Sequence, residues 1–283
     1  MSELLKIPSS LVSVHWLHQH LNASNVIILD ATLPKVTVKN TQEKQIKKQI
    51  PNARFFDIKN VFSDTEGEFP NTMLSPDAFE EQAQKIGIQK DSCVVVYDDH
   101  GTYSSPRAWW SFKAMGFENI AVLDGGLPAW TTTGFRVDNP NNVKYEKGNF
   151  KSMHHKGMYV DRNYVLESIH DDDKLVLDAR SLGRFNGTDA EPRKGVRSGH
   201  IPRSKSFPYA ETLLSGHLKS SEELYKMYAT INPESNPMIF SCGTGITACV
   251  LALGAHVSGY SNVAVYDGSW TEWGSLIDLP IEK

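Results

Sequence analysis

Ile239-Phe240-Ser241-Cys242-Gly243-Thr244-Gly245-Ile246-Thr247-Ala248-Cys249 passes from an apolar strand, through a glycine-interrupted turn, into an apolar helix. Met238 to Phe240 read as the end of a buried strand, and Ala248, Val250, Leu251 and Leu253 as a helix that begins directly after the turn. A strand that hands over to a helix in this way is the repeating unit of an α/β fold. The N–H groups of Gly243 to Thr247 are then expected to point inward without helical partners, as a nest that favours negative charge. Cys242 heads that nest at the start of a helix, an arrangement that favours the thiolate and makes it a candidate nucleophile. A small buried cysteine beside a tight turn is the competing reading. Two glycines and two threonines within five residues weigh against it, because they pack poorly and bind anions well.

Outward from this stretch, the chain repeats itself. Val26-Ile27-Ile28-Leu29-Asp30-Ala31 answers Lys174-Leu175-Val176-Leu177-Asp178-Ala179, and Gln49-Ile50-Pro51-Asn52-Ala53 answers His200-Ile201-Pro202-Arg203-Ser204. Cys93-Val94-Val95-Val96-Tyr97-Asp98-Asp99 answers Pro237 to Cys242, and Asn119 to Gly126 answers Asn262 to Ser269, with Trp130 and Trp273 close behind. Helical stretches lie between, such as Ala78 to Ile86 opened by Ser75-Pro76. Continuous apolar strands alternating with helices predict two α/β domains, each a mainly parallel sheet flanked by helices. The expected boundaries are residues 1–137 for a non-catalytic domain, 138–158 for a polar linker and 159–283 for a catalytic domain. In this matching Asp99 takes the place of Cys242, so only the second copy can use thiol chemistry, and the first is expected to wall off or shape the site. Trp109 and Trp110 read either as facing that interface or as core aromatics.

Composition narrows the class. With 283 residues, 40% of them hydrophobic, the chain can bury a substantial core, and a net charge of -4 with scattered basic residues argues against nucleic-acid or membrane partners. A small-molecule substrate is expected. Met1 to Ser13 lacks the pattern of a secretory leader, no apolar run is long enough to span a bilayer, and a cytoplasmic location is expected. Cys93, Cys242 and Cys249 form neither a disulfide framework nor a zinc spacing, so free thiols and no metal are expected, with Cys93 and Cys249 as packing residues. His154 and His155 fall in the linker and read as solvated rather than ligating.

A thiol in a backbone nest also describes a cysteine-dependent phosphatase. That chemistry needs an arginine six positions after the cysteine to hold the phosphoryl oxygens, and here the position is Ala248. The loop carries no cation at all. A cysteine protease would need a histidine base that nothing near Cys242 supports or excludes, and the duplicated layout disfavours it.

The two-copy layout, Asp178-Ala179-Arg180, Gly199-His200-Ile201-Pro202, Cys242-Gly243-Thr244-Gly245-Ile246-Thr247 and Tyr266-Asp267-Gly268-Ser269-Trp270 together resemble the tandem-domain sulfurtransferases of the rhodanese superfamily, over nearly the whole chain. The resemblance implies two rhodanese-like domains. The uncharged loop resembles the branch that takes 3-mercaptopyruvate rather than thiosulfate, a dianion that gains more from nearby cations. It implies attack by Cys242 on the donor sulfur, release of pyruvate, and transfer of sulfur from a Cys242 persulfide to thioredoxin, a small thiol or cyanide, with no cofactor. Arg184 and Arg193 match the family's arginines for the substrate carboxylate and ketone. Thr244 matches a hydroxyl that orients or deprotonates the substrate thiol, and the backbone of Gly243, Gly245, Ile246 and Thr247 lines the cradle. Related enzymes often relay that hydroxyl to a histidine. In Asn71-Thr72-Met73-Leu74 the matching residue reads as Thr72, which implies a slower first step or attack by a preformed thiolate. The alternatives are a thiosulfate:cyanide sulfurtransferase and a sulfur-carrier or regulatory module loaded by another protein.

Overall fold

A computed structural model of the chain describes residues 4–36, 47–140 and 143–283; residues 1–3 of the stretch read for a leader and 141–142 of the expected linker lie outside the described residues. Its strands are β1 (Leu11–Val12), β2 (Val26–Asp30), β3 (Arg54–Phe55), β4 (Cys93–Tyr97), β5 (Ile120–Leu123), β6 (Tyr159–Val160), β7 (Leu175–Asp178), β8 (Lys205–Ser206), β9 (Leu213–Leu214), β10 (His217–Leu218), β11 (Met238–Ser241) and β12 (Val263–Tyr266). Its helices are α1 (Val14–His20), α2 (Pro76–Lys85), α3 (Ser105–Ala114), α4 (Gly126–Thr132), α5 (Arg162–Ser168), α6 (Leu182–Phe185), α7 (Ser221–Ile231), α8 (Ala248–Val257) and α9 (Ser269–Ser275). The first five strands form one sheet in the order β1-β5-β4-β2-β3, and the second sheet runs β6-β12-β11-β7-β8. Every pairing in both sheets is parallel. The order is the same in each copy, as the repeat predicts.

Local detail follows the repeat as well. Ala31 and Ala179 each donate an N–H to the central strand, to Tyr97 and Ser241, both at 2.8 Å. Ala53 closes on Ile50 and Ser204 on Ile201, each at 3.1 Å, around turns that hold Asn52 and Arg203 at φ of 62° and 61°. The Trp130 and Trp273 indoles both donate to a backbone carbonyl, of Arg136 at 2.8 Å and Pro280 at 2.7 Å.

Each sheet is covered by helices because its strands are apolar on both faces. In the first unit, Val14 and Leu17 of α1 and Trp130 of α4 pack on Ile28, Val95 and Leu123, while α3 lies on β4 and β5. Phe79 of α2 meets Phe112 of α3 edge to face at 5.0 Å, and Trp109 and Trp110 are buried in α3. The helix α2 begins as the sequence predicts, with Pro76 in its first turn and the Ser75 hydroxyl accepting from the Ala78 N–H. In the second unit, Val165 of α5 and Trp270 and Trp273 of α9 pack on Val176, Ile239 and Tyr266, and α8 covers β11 and β12.

The chain divides into a unit of residues 1–62, 74–155 and 215–217 and a unit of residues 63–73, 156–214 and 218–283. Two consequences matter. Val143 to His155 packs on the first unit: Phe150 is buried among Phe79, Phe112 and Phe117, and His155 donates its N–H to Ala114. Ser63 to Met73, between β3 and α2 in sequence, belongs to the second unit.

Candidate active site

Cys242 leaves the C-terminal end of β11, the central strand of its sheet, flanked by β7 and β12. Loops at that end of a parallel sheet are where open α/β folds place ligands. All four residues of β11 are buried, so the backbone is fixed up to the residue before the thiol. The loop then turns into α8 through Gly245, whose φ of +74° suits glycine.

The start of α9 pins this loop. The carbonyls of Cys242 and Gly243 accept the N–H groups of Trp270 and Thr271, both at 2.9 Å, and the Thr271 hydroxyl donates to Gly243 at 2.6 Å. The Ser269 hydroxyl accepts the N–H groups of Cys242 and Gly245, at 3.1 and 3.0 Å, and donates to the Tyr266 carbonyl at 2.8 Å. Ser269 holds this position at φ +52°, a left-handed conformation that costs a serine energy. Its counterpart in the first copy is Gly126, at φ +54°. The N–H groups of Gly243, Thr244, Ile246, Thr247 and Ala248 have no acceptor among the described residues. The Cys242 side chain sits at this loop with 2% of the residue exposed.

The first copy shows what such a loop holds. Asp30 pairs with Tyr97 and Asp178 with Ser241, so the residue equivalent to Cys242 is Asp98 and not Asp99. The sequence repeat misplaces this residue by one because the first copy takes seven residues from Asp98 to the start of α3, whereas Cys242 is six residues from the start of α8. Oδ2 of Asp98 accepts the N–H groups of Tyr103, Ser104 and Ser105, all at 2.9 Å, and the Ser105 hydroxyl at 2.7 Å; Oδ1 accepts from His100 at 2.9 Å. A buried carboxylate fills the cradle of the first copy. Asp99 points elsewhere, with His100 3.3 Å away.

Arg184 lies on α6 beside the Cys242 loop, its Nη2 3.4 Å from where a side chain on Gly243 would begin. Glu191 grips it twice, at 3.1 Å from Nε and 2.5 Å from Nη2. The same carboxylate takes Arg180 Nη1 at 2.8 Å, and Arg180, with no exposed side-chain surface, also pairs with Asp178 and lies over the Trp270 ring at 4.4 Å. His200 anchors α6 by stacking on Phe185 at 3.8 Å and bonding its carbonyl at 2.9 Å. Arg193 is half-buried on the loop two residues beyond Glu191.

Thr244 is buried, and its hydroxyl oxygen accepts a hydrogen bond from Asn71 Nδ2 at 3.0 Å. Thr72, the residue read as matching the relay histidine, donates to the Phe69 carbonyl at 3.2 Å, and it is the neighbouring Asn71 that bonds the Thr244 hydroxyl. Within the same loop Ile246 is buried and Thr247 stands half-buried ahead of α8. Cys249 is buried and donates its thiol to the Gly245 carbonyl at 3.2 Å. Cys93 is buried in β4, and burial pushes its thiol up to about 11.

The residues that sequence reasoning missed are Ser269, Glu191 and Asn71. The exchange of Gly126 for Ser269 between the copies was a visible signal for the first. Glu191 lies two residues before Arg193 and seven after Arg184, a carboxylate close in sequence to both arginines. Asn71 is 173 residues from Thr244, and nothing local marks it.

A model of the rhodanese-like domain matches residues 13–133 and 161–276. The chain is 38% identical over 296 residues to thiosulfate/3-mercaptopyruvate sulfurtransferase 1, mitochondrial, of Arabidopsis thaliana, covering 96% of this chain and 78% of that one. It is 33% identical over 274 residues to the 3-mercaptopyruvate sulfurtransferase of Escherichia coli strain K12, covering 96% and 97%. The crystal structure of SseA, a 3-mercaptopyruvate sulfotransferase from Escherichia coli, matches with a TM-score of 0.81 and 30% identity over 93% of this chain and 99% of that one. The chain belongs to the rhodanese family, as a sulfurtransferase with two rhodanese-like domains.

Proposed function

We propose that the chain takes the sulfur of 3-mercaptopyruvate onto Cys242 as a persulfide, releases pyruvate, and passes the outer sulfur to a thiol acceptor or cyanide. One observation carries the reading. The same loop that encloses the Asp98 carboxylate in the first unit is headed in the second by a cysteine, with five backbone N–H groups that have no acceptor among the described residues. Such a cradle suits a thiolate and the persulfide formed from it.

In the first step the Cys242 thiolate attacks the donor sulfur. A sulfur–sulfur bond forms, the carbon–sulfur bond breaks, and its electron pair leaves on carbon as the enolate of pyruvate, which then takes a proton. Arg184, already aligned by Glu191 beside Gly243, binds the donor carboxylate together with Arg193. The Thr244 hydroxyl orients the donor thiol, while the backbone of Gly243, Gly245, Ile246 and Thr247 forms the wall. In the second step an acceptor thiolate attacks the outer sulfur and displaces Cys242, the same elementary exchange as between thiols and disulfides. Thioredoxin, small thiols and cyanide all offer such a nucleophile.

The uncharged loop favours 3-mercaptopyruvate over thiosulfate. Relatives named for both donors keep thiosulfate as the comparison. The three free cysteines suit a reducing compartment such as the cytoplasm; among the described residues, no helix is long and apolar enough to cross a membrane. The test is pyruvate release from 3-mercaptopyruvate beside thiocyanate formation from thiosulfate and cyanide. We expect kcat/KM at least tenfold higher with 3-mercaptopyruvate, and loss of both activities in Cys242→Ala. Undiminished turnover in Cys242→Ala would refute the reading.

A further inference from the structure

We infer that Asn71 is a positioning residue that fixes the Thr244 hydroxyl as a hydrogen-bond donor towards the sulfur site, and that Thr244 therefore works without giving up its proton to a base. The inference rests on the proposed role of the Cys242 loop and adds to it the polarity of Thr244. Asn71 Nδ2 donates to Thr244 Oγ1 at 3.0 Å, both residues are buried, and both belong to the second unit. A hydroxyl whose oxygen is already accepting has its hydrogen directed away from that donor, and an amide neither gains nor loses a proton near neutral pH.

The placement of Asn71 is built. Its φ of +65° is left-handed, a conformation that asparagine tolerates better than most residues. Two residues on, the Met73 N–H donates to the Asp267 carboxylate at 2.7 Å, which ties the segment to the residue just after β12. Strand β12 also leads into the α9 start that pins the Cys242 loop through Ser269. The segment and the loop are thus fixed by one corner of the second sheet. Titratable groups near the pair include Cys242 on the Thr244 loop, Arg184 beside Gly243, Asp267 under Met73, and Asp64, whose N–H donates to the Thr72 carbonyl at 2.9 Å.

The experiment compares the wild type with Asn71→Asp, Asn71→Gly and Thr244→Val, measuring kcat and KM for 3-mercaptopyruvate across pH. Asp keeps the left-handed preference but, once ionised, can only accept, so it captures the Thr244 proton. The ratio of N71D to wild-type kcat should fall at least tenfold as pH rises through the titration of that carboxyl, and recover on the acid side, where a protonated Asp donates again. Gly leaves the backbone relaxed and removes the donor. N71G should lower kcat by about tenfold, more than it changes KM, and should have no further effect in a T244V background. A pH-independent N71D ratio, or equal effects of N71G with and without the Thr244 hydroxyl, would overturn the inference. Cys242→Ala, run alongside, separates the cases: if it is inactive while the Asn71 variants behave as wild type, the inference fails and the proposed function stands.

Discussion

Ser269 shows how much one hydroxyl can decide. It stands at a dihedral that the first copy gives to glycine, and it satisfies the N–H groups of both Cys242 and Gly245. Ser269→Ala leaves two buried donors unpaired, so we expect a loss of about 1–3 kcal/mol of stability and a fall in kcat of about tenfold or more. Ser269→Gly relieves the backbone and still lacks the hydroxyl, so it should regain part of the stability and none of the activity. Thermal unfolding and turnover of the two variants check this, and equal activity in wild type and S269A would show that the loop holds its shape without the hydroxyl. Arg180 and Arg184 divide in a similar way. Arg180, fully buried between Asp178 and Glu191, holds the site together, whereas Arg184 keeps part of its side chain accessible beside the loop.

At the level of elements, one strand–loop–helix unit serves two ends. After β4 it closes on a carboxylate, and after β11 it presents a thiol. Asp98→Asn can keep its amide oxygen towards the three backbone donors at the Oδ2 position but then sets its amide N–H against the His100 N–H, and we expect a loss of roughly 1–3 kcal/mol in stability with the chemistry at Cys242 little changed. Denaturant unfolding with parallel activity measurements tests this, and an equal loss of activity in the folded variant would contradict it. Helix α9 carries a pH dependence of its own. Burial holds the Glu272 carboxyl above its usual range, against the opposing pull of Arg162 at 3.7 Å. The folded chain therefore binds this proton more tightly than the unfolded chain, a contribution to stability that is present at acid pH and lost as pH rises through the folded value. Glu272→Gln, always neutral, should gain stability relative to wild type as pH is raised from about 4 to about 7. Unfolding midpoints that stay parallel across that range would contradict the assignment.

Across the whole molecule, legibility followed distance along the chain. The strands stand out as continuous apolar runs because both faces of each sheet are covered, and Cys242 stands out because its strand, turn and helix are consecutive residues. Even so, the equivalence of Asp98 and Cys242 is hidden in the sequence, since the turns differ in length and the register is set by the pairing of Asp30 with Tyr97 and Asp178 with Ser241. Asn71 was illegible for a stronger reason: its partner is 173 positions away, and no local pattern encodes a contact made by folding alone. The packing of Val143 to His155 on the first unit is hidden by its polar composition, which disguises the buried Phe150 and the backbone bonds around it. The central claim is that sulfur is carried on Cys242. All three cysteines are buried, but the Cys93 thiol is pushed up to about 11 within β4 and the Cys249 thiol donates to the Gly245 carbonyl inside the turn, which leaves Cys242 at the head of the cradle. The direct measurement is fragmentation mass spectrometry of the cysteine-containing peptides after incubation with 3-mercaptopyruvate and no acceptor, which separates Cys242 from Cys249 on their shared stretch. The expected result is one added sulfur atom on Cys242, removed by cyanide; no added sulfur, or sulfur on Cys93 or Cys249 instead, would contradict the account.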